Sequence, residues 1–127
     1  MHKMPDPRVR RWFQSQSLAS LWLSAISIGE IRKGLTLLAA GKRRIVLEQW
    51  FHSDLIPSFR GRILPVTVPV AERWGTLSAE RRLLGIPLNA PDGLIAATTL
   101  EHDLTLVTRN VKDFVHLGVP LFNPWEM

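Results

Sequence analysis

The sequence predicts an α/β fold in which a parallel sheet is covered on both faces by helices. Three observations carry this. The runs LWLSA (Leu21 to Ala25), ILPV (Ile63 to Val66) and LTLVT (Leu104 to Thr108) are short and almost continuously apolar, as strands buried on both faces are. Between them lie longer segments whose apolar residues recur at helical spacing. At 127 residues the chain can bury about two thirds of its unfolded surface in one core, so residues 1–127 are read as one domain.

The elements run in order along the chain. In PDPRVRRWFQSQ, Asp6 suits the N-cap position and Pro7 the first helical one, with Val9, Trp12 and Phe13 on one face. LWLSA is the first strand. ISIGEIRKGLTLLAAG has helical spacing and is expected to stop at Gly41, a glycine suited to a C-terminal cap. A further helix spans Lys42 to about Pro57, with Ile45, Trp50 and Phe51 expected inward. In ILPV, Pro65 suits a strand end better than its middle. PVAERWGTLSAERRLLG reads as a helix, Pro87 to Pro91 as a loop, Asp92 to His102 as a helix, and LTLVT as a strand rich in β-formers. VPLFN supplies one more strand near the C-terminus.

Composition narrows the chemistry. There is no cysteine, and the four histidines (His2, His52, His102 and His116) are too scattered to form a ligand set, which argues against thiol and transition-metal sites. No apolar run approaches the roughly 20 residues of a membrane span, and the N-terminus lacks the apolar core of a signal peptide; a cytoplasmic location is the expectation. Sixteen Lys and Arg against 11 Asp and Glu favour a polyanionic partner such as nucleic acid or an acidic protein segment. Neither a nucleophile elbow nor a phosphate-binding glycine loop is present.

Against that basic background a few acidic and amide side chains fall where a parallel α/β sheet keeps its ligand site, at the carboxyl ends of the strands. LWLSA ends just before Glu30, LTLVT ends just before Asn110 and Asp113, and Asp92 opens its own helix. Each also has a purely structural use. Ser27 and Glu30 have capping-box spacing, Asp92 complements a helix dipole, and Asn110 with Asp113 has an N-cap pattern. Together, however, the carboxylates would repel and raise one another's pKa unless a hard divalent cation such as Mg²⁺ sat between them and phosphate oxygens. Such an ion polarises a phosphodiester and activates water.

The segments PDPRVRRW, LWLSAISIGEIRKGLTLL, PDGLIAATTLEHDLTLVTRNVKDF and GVPLFNPWE resemble the PIN-domain family, in particular its VapC-type toxins of toxin–antitoxin pairs, over essentially the whole chain. The resemblance implies a three-layer α/β/α sandwich around a parallel sheet and Mg²⁺- or Mn²⁺-dependent endoribonuclease activity on an RNA substrate. It further implies homodimerisation and inhibition by a cognate antitoxin. By position, Glu30 and Asp92 match metal-binding carboxylates, and the family's last acidic position falls on Asn110 or Asp113, Asn110 as a neutral or water-mediated ligand.

One departure stands out. Family members open with a strand ending in an Asp-Thr-Asn type motif, whereas this chain opens at MHKMPDP, which matches the helix start located after that strand; Asp6 is not the counterpart of the motif's aspartate. The N-terminal strand is therefore read as missing, through a start placed too far downstream or a truncated gene product. Losing about four buried aliphatic side chains removes roughly 6–12 kcal/mol, against a whole-domain stability of about 5–15 kcal/mol. A marginally stable chain with impaired cleavage is the expectation, and the alternative is a non-catalytic remnant that binds antitoxin or nucleic acid without cutting.

Overall fold

A computed structural model describes residues 7–126; the expected Asp6 cap lies outside them. Helix α1 (Pro7–Ser15) leads through a short 3-10 turn (Leu18–Ser20) into strand β1 (Leu23–Ser24) and helix α2 (Ala25–Leu37). Helix α3 (Lys42–Trp50) runs on through a π-helical turn (Phe51–Leu55) into α4 (Ile56–Ser58). Then come β2 (Ile63–Leu64), α5 (Val68–Leu83), α6 (Ala90–Glu101), β3 (Leu106–Val107), a 3-10 turn (Val111–Asp113), β4 (Leu121–Phe122) and a last 3-10 turn (Pro124–Glu126). Helices alternate with short strands, and every strand pairing is parallel.

The strands form two separate ladders rather than one sheet. β1 pairs with β2 in the register Leu23 to Ile63, and β3 with β4 in the register Leu106 to Leu121. Among the described residues no strand joins β1 to β3. Pro65 lies just past the end of β2, where its missing N–H costs the ladder nothing.

Helix α6 is the centre of the packing. Its residues Ala96, Ala97, Thr98 and Thr99 are all buried, and each threonine hydroxyl donates to a carbonyl one turn back, Leu94 at 2.7 Å and Ile95 at 2.8 Å. With their polar atoms satisfied locally, both threonines pack as small apolar groups. Ala96 joins Phe114, Leu117 and Val119 in the main cluster. Helices α5 and α6 pack closely as a hairpin, and Gly93 makes that possible: a Cβ there would lie 2.8 Å from Trp74 Cδ1 and 3.0 Å from Leu88 Cδ2. Helix α5 ends on a Schellman motif, with Gly85 at φ 77°. The Gly85 N–H donates to the Arg82 carbonyl at 3.0 Å and the Ile86 N–H to the Arg81 carbonyl at 3.0 Å; a positive φ at this position is what glycine tolerates best.

Three local expectations are corrected. Helix α2 does not stop at Gly41: it ends at Leu37, Leu38 turns extended, and Gly41 is instead the N-cap position of α3. Ser27 and Glu30 form no capping box, because the helix already starts at Ala25 with the Ser24 hydroxyl accepting from the Ile26 N–H at 3.0 Å. Ser27 is thus inside the helix and Glu30 lies in its second turn. Of the three residues expected inward between Lys42 and Pro57, only Phe51, which opens the π-helical turn after α3, is buried (2% exposed), while Ile45 is 58% and Trp50 41% exposed. At 100° per residue they sit about 120° and 100° around the helix from Phe51.

Glu48 ties α2 to α3. Its carboxylate meets Arg44 Nε at 2.9 Å and Arg32 Nη2 at 3.0 Å. Hydrogen bonds from Arg44 first, and then Arg32, hold its pKa below the ordinary value. A depressed folded-state pKa means that the stabilisation is present above the unfolded value, about 4.3, and is lost as the pH falls through the folded one. Melting curves of the parent and Glu48→Gln are therefore expected to differ at pH 7 and to converge as the pH falls through the lowered pKa of Glu48. The difference is small and shrinks in high salt, since the pair is partly exposed.

Candidate functional site

Asp92 is the best-defined of the acidic positions. Asn89 is the N-cap of α6, and its side chain grips Asp92 twice: Oδ1 accepts from the Asp92 N–H at 2.9 Å, and Nδ2 donates to Asp92 Oδ2 at 2.7 Å. Pro91 occupies the first turn, where its missing N–H is harmless, and buried Gly93 fixes the helix against Trp74. The carboxylate is thereby oriented and half-exposed at a positive helix end. Replacing Asn89 by alanine removes both contacts and is expected to cost about 0.5–2 kcal/mol, seen as a lower melting temperature.

Glu30 projects from the second turn of α2, exposed to solvent. Helix α2 packs against α6, so the two helices that carry Glu30 and Asp92 are direct neighbours. Neither carboxylate is in an ion pair among the described residues. Asn110 is the N-cap residue of the 3-10 turn after β3, but its side chain makes no capping bond. Its N–H instead donates to Thr108 Oγ1 at 3.1 Å, and its carbonyl accepts from the Asp113 N–H at 3.1 Å. Asp113 and Asn110 are both exposed, while the adjoining Phe114 is buried.

Among the described residues no group of three or more His, Cys, Asp or Glu side chains stands close enough to hold a metal ion, so Asp113 does not close such a set with Glu30 and Asp92. What the chain offers is hard oxygen donors on two adjoining helices. That fits a Mg²⁺-type ion, which is often held by one or two carboxylates with water and substrate phosphates completing its shell. Several arginines of the basic groups are engaged internally: Arg32 and Arg44 with Glu48, Arg73 with Glu101 at 3.2 Å, and Arg81 with the Ile86 carbonyl at 3.0 Å.

Asn89 was not among the residues singled out from the sequence. The signal was present in Asn89-Ala90-Pro91-Asp92, a polar N-cap with an acid at the third helical position.

The model of the PIN domain matches residues 5–119. The chain belongs to the PIN-domain family. It is 38% identical over 126 residues to the toxin FitB of Neisseria gonorrhoeae, covering 99% of this chain and 91% of that protein. It is 34% identical over 122 residues to the VapC ribonuclease Y4jK of Sinorhizobium fredii, covering 96% and 87%. The structure of FitAB bound to an IR36 DNA fragment superposes with a TM-score of 0.91 at 37% identity, covering 99% of this chain and 88% of that one. These relatives place this PIN domain among the VapC-type toxins, and its parallel α/β architecture is the one the resemblance implied.

Proposed function

We propose that this PIN domain is the ribonuclease toxin of a toxin–antitoxin pair, cleaving RNA phosphodiesters with the help of Mg²⁺ or Mn²⁺. The observation that carries the reading is the Asn89-oriented carboxylate of Asp92 on a helix packed against the one bearing Glu30. Its similarity to a VapC ribonuclease supports the choice of substrate.

Glu30 and Asp92 are the residues that would hold the cation, with Asn110 or Asp113 completing or orienting the shell. When bound, such an ion lowers the pKa of water and polarises the scissile phosphodiester. The chain's own contributions are positional. Asn89 Nδ2 engages Asp92 Oδ2 and fixes the plane of the carboxylate. Asp92 stands in the first turn of α6, where a carboxylate complements the helix dipole. Basic side chains that have no internal role would hold the RNA backbone.

The antitoxin and a second copy of the chain would cover the exposed apolar side chains. Leu37 (75% exposed) and Val46 (60%) lie on α2 and α3, and Leu83 (87%) and Leu84 (71%) close α5; large exposed apolar groups of this kind mark interaction surfaces.

The test is cleavage of a structured RNA by the purified chain with Mg²⁺, with Mn²⁺ and with a chelator. Cutting that stops on chelation is expected; cutting unaffected by chelation would overturn the reading. The lack of a three-carboxylate set among the described residues favours a second reading, a PIN domain that binds nucleic acid or antitoxin without cutting. Salt-sensitive RNA binding with no cleavage under any metal condition is its expected result.

A further inference from the structure

The geometry points to the cavity at the carboxyl ends of β3 and β4 as a subsite for one unpaired nucleotide of an RNA strand, its base stacked on Trp125 and its phosphate held by Arg109 and Lys112. Resting on the ribonuclease reading above, the subsite grips the substrate away from the bond that is cut. The cavity has a volume of about 490 Å³, with residues 109–112 of the turn after β3 on one side and Asn123, Trp125 and Glu126 of the turn after β4 on the other. This edge of a parallel α/β fold is where ligands bind. Asn110, one of the two candidates for completing the metal shell, lies on the cavity wall. An RNA strand whose scissile phosphate meets Asn110 thus has a neighbouring nucleotide within reach of the cavity.

Asn123 builds the site. Its Oδ1 accepts from the Trp125 N–H at 2.9 Å and its Nδ2 donates to the Arg109 carbonyl at 3.4 Å, so one side chain fastens the turn after β4 to the turn after β3. Pro124 between them is fully buried and anchors the turn. Trp125 itself is only half-buried, and the Arg109 guanidinium stands over its ring, with Cζ 5.8 Å from the centroid. The indole is therefore held in place while part of its surface lines the cavity.

These groups match the parts of a nucleotide. An aromatic face beside a guanidinium plane is what an unstacked base packs against. Arg109 and Lys112 are both exposed and have no carboxylate partner among the described residues, which leaves their charges for a phosphate. Glu126, exposed on the same cavity, repels a second phosphate and can accept from the amino group of a base, as carboxylates do from cytosine. An acidic peptide would use the two cations and leave the indole idle.

The test is an NMR titration of the ¹⁵N-labelled chain in chelator, so that no RNA is cut, with hexa-adenylate and with an abasic hexamer that keeps the ribose–phosphate chain but carries no bases. Hexa-adenylate is expected to shift the Trp125 indole N–H and to bind about fivefold or more tightly than the abasic chain, the worth of one stacked base. Trp125→Leu is expected to remove that advantage without changing the affinity of the abasic chain, and Trp125→Phe to restore most of it. Lys112→Ala is expected to weaken both oligomers and to lower the slope of log affinity against log salt by about 0.7. Three results would overturn the proposal: equal binding of the two oligomers in the parent, a hexaglutamate peptide that shifts the Trp125 indole as hexa-adenylate does, or shifts confined to other basic groups while Trp125 stays unmoved. The outcome is separate from that of the ribonuclease reading. A chain that binds hexa-adenylate on Trp125 yet cuts no RNA with any metal supports the subsite and refutes the catalytic reading; metal-dependent cutting with no shift at Trp125 refutes the subsite alone.

Discussion

Asp92→Asn and Glu30→Gln are each expected to lower metal-dependent RNA cleavage by on the order of 100-fold, since even outer-shell partners of a metal ligand are worth 10–100-fold. The amide replacements keep the shape of the side chains and remove only charge and acceptor strength. At position 92 the stability cost should be confined to the helix-dipole contribution, about 0.3–1 kcal/mol, because the Asn89 Oδ1 bond to the residue 92 N–H survives. The two measurements separate the two uses of Asp92. A residue that only caps α6 loses a little melting temperature and no activity; a residue that also serves the reaction loses activity far out of proportion. Glu30 has no capping role, since Ser24 fills it, so Glu30→Gln should leave the melting temperature almost unchanged. Cleavage rates for both variants equal to the parent's would sink the assignment.

Phe114→Ala is expected to produce the largest loss of stability, about 3–5 kcal/mol. Phe114 is 4% exposed and packs in one cluster with Ala96, Leu117 and Val119. It directly follows the 3-10 turn that bears Asp113, so its ring pins the turn after β3 onto α6. Removing the ring leaves a cavity among side chains held by a helix and a turn that cannot easily close over it. A fall in melting temperature of roughly 10–20 °C is the expected reading for a chain of this size. A loss under 1 kcal/mol by denaturant titration would mean that the cluster around Ala96 is not the core. Phe114→Leu, which keeps most of the apolar volume, should recover most of the loss.

Much of this was legible in the residues. The four strands lie within the runs expected for them, because a strand buried on both faces must be apolar at nearly every position. Asp92 was visible as an acid beside Pro91 at a helix start, and the PIN-family match runs over residues 5–119. The misses have local causes. Ser24 and Ser27 are equally good caps as residue types, and only the extended backbone at Ser24 shows which one is used. Gly41 suits the end of one helix and the start of the next, and the early stop at Leu37 decided between them. Ile45 and Trp50 were assigned inward as bulky apolar groups, whereas the helix turns them away from Phe51. The separation of the strands into two ladders depends on pairing between distant segments, which no local pattern reports.

The most direct measurement is a Mn²⁺ titration of the ¹⁵N-labelled chain followed by paramagnetic line broadening, because it locates the ion whether or not RNA is being cut. If Glu30 and Asp92 hold the metal, the amides flanking these two residues broaden first, and Asp92→Asn abolishes the effect. Broadening that centres instead on other surface acids such as Asp54 or Asp103, or that survives unchanged in the Asp92→Asn and Glu30→Gln variants, would contradict the assignment.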